Sequence, residues 1–405
     1  MKEIITKLIK KYAVLIIILL IIILGIQIRT MNYHWPYLRN IDSYTFFRQM
    51  DEIVANNGVI PSYDPLVTAP YGVEKSGGND FYVYAGAYSY MFTRLFIPTM
   101  PLWEFLIWFP PLLASLMAIP MYYIGKLLYD RKAGLLAALF VVFDTSIMSR
   151  TLGGDPDSDA IALLLPLVVI AFFLFAYKLS SKNIFNKKTI IFSVLCGISM
   201  AAWGFTWGGH WWVVMLLTGL IVIKMLIDFG LTRNIKQVWQ DTRHILMSYA
   251  IIMVIFFALT IPVNGWGYIQ ATYLGPLTFQ GIKAEEGGTF PNVYVSVQEL
   301  QTGGDPRIVI QSTSLVSFDS NPAALLISTF MLTIYALIYL IYSFIKKRQH
   351  MDTVILLLIW FMGPFLATMT ALRFGSMLSI PLIIGSAIIL SKLIRMVIND
   401  EKLED

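Results

Sequence analysis

The sequence predicts an all-α, polytopic membrane protein: one transmembrane domain over residues 1–405, with about ten spans and two long outer loops. Three observations predict it. Of the 405 residues, 57% are apolar and only 14% charged, against roughly 25% charged in soluble domains. The apolar residues fall in runs of about the 20 that a bilayer core of about 30 Å demands. Basic residues sort to alternate connections, as the positive-inside rule requires. This composition excludes a water-soluble enzyme. The lone cysteine, Cys196, excludes an intrachain disulfide, and four histidines without a close pair leave no zinc site.

The spans read as 12–28, 104–128, 133–149, 160–179, 189–207, 209–228, 244–262, 323–345, 352–370 and 374–394. The first follows Lys2, Lys7, Lys10 and Lys11 and has no small-residue cleavage site after it, so it is an uncleaved anchor with a cytoplasmic N-terminus. Ten spans then return the C-terminus to the cytoplasm. The same count puts Lys126, Arg131, Lys178, Lys224, Arg233, Lys346, Arg348 and Arg395 inside, and Asp42, Asp51, Asp155, Asp157, Asp159, Glu299 and Asp305 outside. The net charge of +5 thus reflects sidedness in a cell membrane, with no nucleic-acid partner implied. Two outer segments, 29–103 and 262–322, are far longer than ordinary connections. Within the first, Phe81 to Ile97 is interrupted by Arg94 and reads as an interfacial helix. Counting it as a span would put most lysines outside.

Three outer segments carry carboxylates in chemically suggestive settings. Asp42 follows the first span closely. Arg150-Thr-Leu-Gly-Gly-Asp155-Pro-Asp157-Ser-Asp159 crowds three carboxylates at a helix start, where the helix dipole offsets only part of their repulsion. Hard oxygen ligands of this kind suit Mn²⁺ or Mg²⁺. Ser296-Val-Gln-Glu299 lies deep in the second long loop. Arg373 stands between two apolar runs on the outer face, where a guanidinium is costly unless it meets an anion or the surface. Trp207-Gly-Gly-His210 joins two spans on that same face. Each has a plainer alternative: a solvated loop aspartate for Asp42, a helix cap for Asp159, interfacial snorkelling for Arg373 and belt residues for the tryptophans.

Taken in order, Asp42, the Arg-Thr-x-x-Gly-x-x-Asp-x-Asp run, the Trp-Gly-Gly turn, Ser-Val-x-Glu and Leu372-Arg373-Phe374 resemble the catalytic subunit of oligosaccharyltransferase, of the archaeal type and its bacterial single-subunit relatives. That resemblance covers most of the chain. It implies that Asp42, Asp157 and Glu299 hold a divalent cation, with Asp159 in or beside its ligand set and Arg150 close by. It also implies that Arg373, with Trp207 and His210 nearby, meets the phosphate of a polyprenyl-linked oligosaccharide donor. The acceptor is then an asparagine side chain of a polypeptide, on the extracytoplasmic face, and the glycine-rich loop bearing Glu299 opens and closes around it. The family continues into a soluble domain bearing Trp-Trp-Asp-Tyr-Gly, whereas this sequence stops at Asp405, and it has two further helices where this chain has only Arg233 to Arg243. The expectation is therefore no C-terminal soluble domain, with a separate polypeptide recognising the sequon or with relaxed selectivity. A lipid-phosphate sugar transferase with another acceptor, and an inactive donor-binding paralogue, are the alternatives. A transporter would need ionisable residues in mid-span, and the spans hold few.

Overall fold

The computed structural model describes residues 2–31, 33–74, 81–180, 186–281, 306–313 and 322–398. Ser296–Glu299 and the glycines from Gly287 to Gly304 lie outside them. The helices are α1 (Lys2–Thr30), α2 (Ile41–Ala55), α3 (Phe81–Arg94), α4 (Leu102–Leu116), α5 (Ala118–Leu128), α6 (Arg131–Phe143), α7 (Thr145–Met148), α8 (Asp159–Ser180) and α9 (Lys187–Gly204). They continue with α10 (Trp211–Thr232), α11 (Ile235–Asn264), α12 (Gly267–Gly281), α13 (Pro306–Ser312), α14 (Thr329–Lys347), α15 (Met351–Thr370) and α16 (Gly375–Ile398). A two-residue hairpin, Tyr63–Asp64 with Val73–Glu74, is the one sheet among the described residues.

Eight helical stretches among the described residues are long and apolar enough to cross a membrane, so the protein is a multi-pass, all-α membrane protein. The two remaining expected spans fall on α6 and α9. The run expected at 133–149 is a 13-residue helix followed by a four-residue one, because Asp144 ends the first and accepts a hydrogen bond from the Ile147 amide at 3.0 Å to start the second. α9 has 18 residues and opens on Lys187 and Lys188. α11 starts nine residues before its apolar run, since Asn234 accepts from the amides of Lys236 and Gln237 and nucleates the helix there.

Close helix crossings rest on small residues. A Cβ at Gly134 would sit 2.4 Å from the Tyr122 carbonyl oxygen, so α5 and α6 meet backbone to backbone. One core runs through the bundle and includes the fully buried Trp203, Phe256 and Trp360. A second lies under the first long loop: Met50, Ile53, Tyr82 and Tyr90 pack on Phe105, Phe109 and Ile161. The aromatic segment expected to be interfacial is therefore α3, laid against α2 and α4.

The ends of the bundle differ in charge. At one end Asp130 caps α6 by accepting from the Ala133 amide at 2.7 Å, accepts the Ser391 hydroxyl and pairs with Arg395. There Thr353 donates to the Leu128 carbonyl at 2.7 Å and Lys224 pairs with Asp228 at 3.1 Å. These helix ends are the ones whose basic residues the sequence sorted together.

Candidate active site

At the opposite end, the acidic loop between α7 and α8 is fixed by backbone groups of three other segments. Pro111 has no N–H for the fourth-preceding carbonyl. That carbonyl belongs to Ile107, and it accepts the Gly154 amide at 3.3 Å. The Arg29 carbonyl accepts the Gly153 amide at 2.9 Å, and the Gly154 carbonyl accepts from the Arg39 amide at 2.7 Å. Gly154 has φ +78°, and a Cβ there would lie 2.2 Å from the Tyr33 ring. Gly154→Ala is therefore expected to destabilise the loop by about 1–3 kcal/mol, read as a lower melting temperature in detergent and reduced turnover.

Arg29 supports the loop with its side chain as well. It is 3% exposed at the end of an apolar helix, donates through Nε to the Thr151 hydroxyl at 3.0 Å and through Nη1 to the Val142 carbonyl at 2.8 Å, and attracts the Asp144 carboxylate. Arg29→Met should cost about 3–5 kcal/mol by stranding a buried carboxylate, seen as a loss of folded yield that Arg29→Lys partly restores. In the sequence Arg29 marks only the start of the first long outer segment. Its signal was the cost of a guanidinium at the end of an apolar helix, which requires partners.

Of the expected site residues, Arg150, Asp157 and Asp159 come together with Asp155. Arg150 Nη1 lies 3.8 Å from Asp159 Oδ2. Asp157 Oδ1 accepts from the Ser158 amide at 2.5 Å and from its hydroxyl at 3.2 Å. Asp42 is exposed in the first turn of α2. Its neighbour Ser43 is fully buried and donates to Asp155 Oδ1 at 2.9 Å, which seats the start of α2 on the acidic loop. Burial raises the pKa of Asp155; the Ser43 hydrogen bond offsets this, and the Asp157 charge adds to it. Tyr82, at the start of α3, is 1% exposed with its hydroxyl unpartnered. Its pKa rises through burial first and then through the charges of Asp157, Asp155 and Asp159. Neither Ser43 nor Tyr82 was legible as a site residue, because nothing in the spacing tells which way these side chains face.

Hard oxygen donors are the kind that an ion of the Mn²⁺ or Mg²⁺ class takes, and Arg39 and Arg150 both act on the crowded carboxylates as cations. Among the described residues, no three His, Cys, Asp or Glu side chains gather closely enough to hold a metal. Glu299, the remaining expected ligand, lies outside the described residues.

A cavity of about 710 Å³ opens between the start of α10, α12, α15 and the turn into α16. Its lining is apolar and aromatic, with Trp207, Trp211 and Trp212 on one wall and Arg373 as the charged residue among those described. Trp207 and Arg373 thus meet at one cavity. His210 does not line it: the ring is buried, stacks on Tyr268 at 4.6 Å, and hydrogen-bonds with the Thr272 and Tyr268 hydroxyls at 3.0 and 3.2 Å. Cavity and acidic loop are linked through α3. The Phe81 amide donates to the Phe205 carbonyl at 3.2 Å, two residues before Trp207, while the adjacent Tyr82 sits among the loop carboxylates.

Comparison with known proteins identifies relatives and a shared fold. A dolichyl-phosphooligosaccharide-protein glycotransferase of Methanococcus voltae is 22% identical over 72% of this chain and 33% of its own length. The corresponding glycotransferase 1 of Pyrococcus furiosus is 28% identical over 63% of this chain and 27% of its own. The Archaeoglobus fulgidus oligosaccharyltransferase AglB, solved with an inhibitory peptide and a dolichol-phosphate, shares the fold with a TM-score of 0.65 at 17% identity, over 98% of this chain and 53% of that one. The same enzyme tethered to an acceptor peptide with an NVT sequon superposes with a TM-score of 0.66, also at 17% identity, over 98% of this chain and 51% of that one. The chain thus spans between about a quarter and a third of the length of these curated relatives and about half that of the solved ones. The family model for the N-terminal part of oligosaccharyl transferase STT3 matches residues 12–402, and this chain belongs to that family.

Proposed function

We propose that this chain transfers an oligosaccharide from a polyprenyl phosphate or pyrophosphate to the side-chain amide of asparagine in acceptor polypeptides, on the extracytoplasmic face. The observation that carries the reading is the pairing, at one end of the bundle, of the carboxylate loop with a lipid-sized apolar cavity whose charged wall residue is Arg373. The relatives are named for transfer from dolichyl-phosphooligosaccharide, and the solved one holds dolichol-phosphate and peptide. Facing the acidic end outward leaves the basic end, and both chain termini, in the cytoplasm.

An amide nitrogen is a poor nucleophile because its lone pair is delocalised into the carbonyl. Asp42 and Glu299 accept hydrogen bonds from its two N–H groups, orient it and favour a twisted, more nucleophilic form. Asp42, Asp157 and Glu299, with Asp159 beside them, would hold the Mn²⁺ or Mg²⁺ ion, which supplies Lewis-acid stabilisation of negative charge. Arg150 keeps Asp159 oriented. The nitrogen forms a bond to the anomeric carbon from the face opposite the leaving phosphate as the carbon–oxygen bond to that phosphate breaks, so the configuration inverts, and one amide proton passes to a carboxylate that had accepted its hydrogen bond. Arg373 stabilises the charge growing on the departing lipid phosphate. His210 serves indirectly by fixing the Trp207–Gly209 turn against α12.

Purified chain in liposomes, given a lipid-phosphate-linked oligosaccharide and an Asn-x-Thr peptide, is expected to form glycopeptide, and none with the Gln-x-Thr analogue. Transfer to a hydroxyl or lipid acceptor with none to asparagine would overturn the reading.

A further inference from the structure

The basic end holds a second cavity, of about 380 Å³, that the transfer reaction does not use. It lies where α5 and α8 end, beside α10 and under the turn that joins α14 to α15. Lys178, Lys224, Arg348 and His350 line it, with Asp352 as the acid on the wall and Asp228 behind Lys224. Three basic side chains, Lys178, Lys224 and Arg348, therefore line the cavity with one carboxylate, Asp352.

Several features favour an anion here. The first turn of α15, Met351 to Thr353, forms part of the wall, and its N-cap residue His350 provides no side-chain cap. The first-turn amides, which lack intrahelical partners, and the positive end of the helix dipole lie at that wall. The Tyr177 hydroxyl, on a side chain 5% exposed, lies beside the Asp352 carboxylate on the same wall and takes up part of that acid's hydrogen-bonding capacity. Lys224 reaches Asp228 at 3.1 Å and Asp352 at 3.7 Å, and an ammonium carries three donors. The connecting turn is itself strained: Arg348 and His350 both take left-handed backbone, with φ +58° and +63°. Glycine would adopt those angles freely, so two side chains directed at the cavity are kept against conformational preference. The remaining wall is Leu127, Leu128, Leu174 and Leu220, a surface suited to the start of an acyl chain.

We propose that this cavity binds a phosphate group carried by an anionic membrane lipid of the leaflet opposite the transfer site, with Lys224, Arg348 and the first-turn amides of α15 on the phosphate and the leucines on the glycerol and upper acyl chain. The site stands independently of the transfer reading.

The test is native mass spectrometry of the full chain in detergent, titrated with phosphatidylglycerol or with phosphatidylcholine. The expected result is one retained phosphatidylglycerol and weaker retention of phosphatidylcholine. Arg348→Gly removes the cation while suiting the left-handed backbone, so the variant folds, and it should weaken phosphatidylglycerol binding by about tenfold. Lys236→Ala, an exposed lysine at the same end, should leave it unchanged. Competition with inorganic phosphate separates the sources: displacement means that the phosphate alone is recognised, and resistance means that the lipid portion contributes. Either result supports the site. Equal affinity in Arg348→Gly and wild type, an equal loss in Lys236→Ala, or no binding of either probe would overturn it.

Discussion

Asp157→Asn is expected to lower oligosaccharide transfer by about 10²–10³-fold while the melting temperature in detergent stays within a few degrees of wild type. The separation of the two effects follows from the local geometry. Asp157 Oδ1 accepts from the Ser158 amide and hydroxyl at the start of α8, and the asparagine side-chain oxygen accepts them equally well. The loop is held by the backbone bonds of Gly153 and Gly154 to Arg29, Ile107 and Arg39, none of which involves this carboxylate. What disappears is a negative charge among three crowded carboxylates. Initial rates with a fluorescent acceptor peptide, beside thermal unfolding of the same preparation, check both halves.

Arg373→Gln carries the second large effect, a loss of about 10²-fold expressed mainly in kcat. Arg373 is exposed at the turn into α16 and is the charged residue among the described lining of an otherwise apolar cavity. Among the described residues lining the cavity it meets no carboxylate, and it meets its strongest anion as the phosphate departs, so its contribution grows toward the transition state. Arg373→Lys keeps the charge but loses the planar fork that grips two oxygens, and its rate should fall between wild type and Arg373→Gln. A donor titration with each variant separates kcat from KM. An effect confined to KM would place Arg373 on the ground-state donor only.

Much of this was legible in the sequence. Runs of about 20 apolar residues set most helices, and the lysines and arginines at alternate ends foretold the contacts that gather Asp130, Lys224, Thr353 and Arg395 at one end of the bundle. Arg94 and the tyrosines around it marked α3 as a helix outside the spans. The failures have physical causes. An apolar run shows no break where a cap interrupts it, so Asp144 was read into one long span instead of starting α7. Residue type alone does not give rotation about a helix axis, so Ser43 and Tyr82 went unremarked although both face the acidic loop. His210 sits beside Trp207 in sequence, yet its ring turns into α12 while the indole lines the cavity. Buried Arg29 was hidden because its value depends on Thr151 and Val142, more than a hundred residues away.

If carboxylates from separate segments serve one catalytic ion beside the lipid-phosphate cavity, transfer depends on that ion and on each of those carboxylates. The most direct measurement is the dependence of transfer rate on Mn²⁺ concentration for wild type, Asp42→Asn, Asp157→Asn and Glu299→Gln. Each variant is expected to raise the half-saturating Mn²⁺ concentration by about tenfold or more, and chelation should abolish wild-type transfer. Transfer that persists under chelation, or Asp42→Asn and Glu299→Gln curves that overlay the wild-type curve, would mean that no ion is shared by these carboxylates.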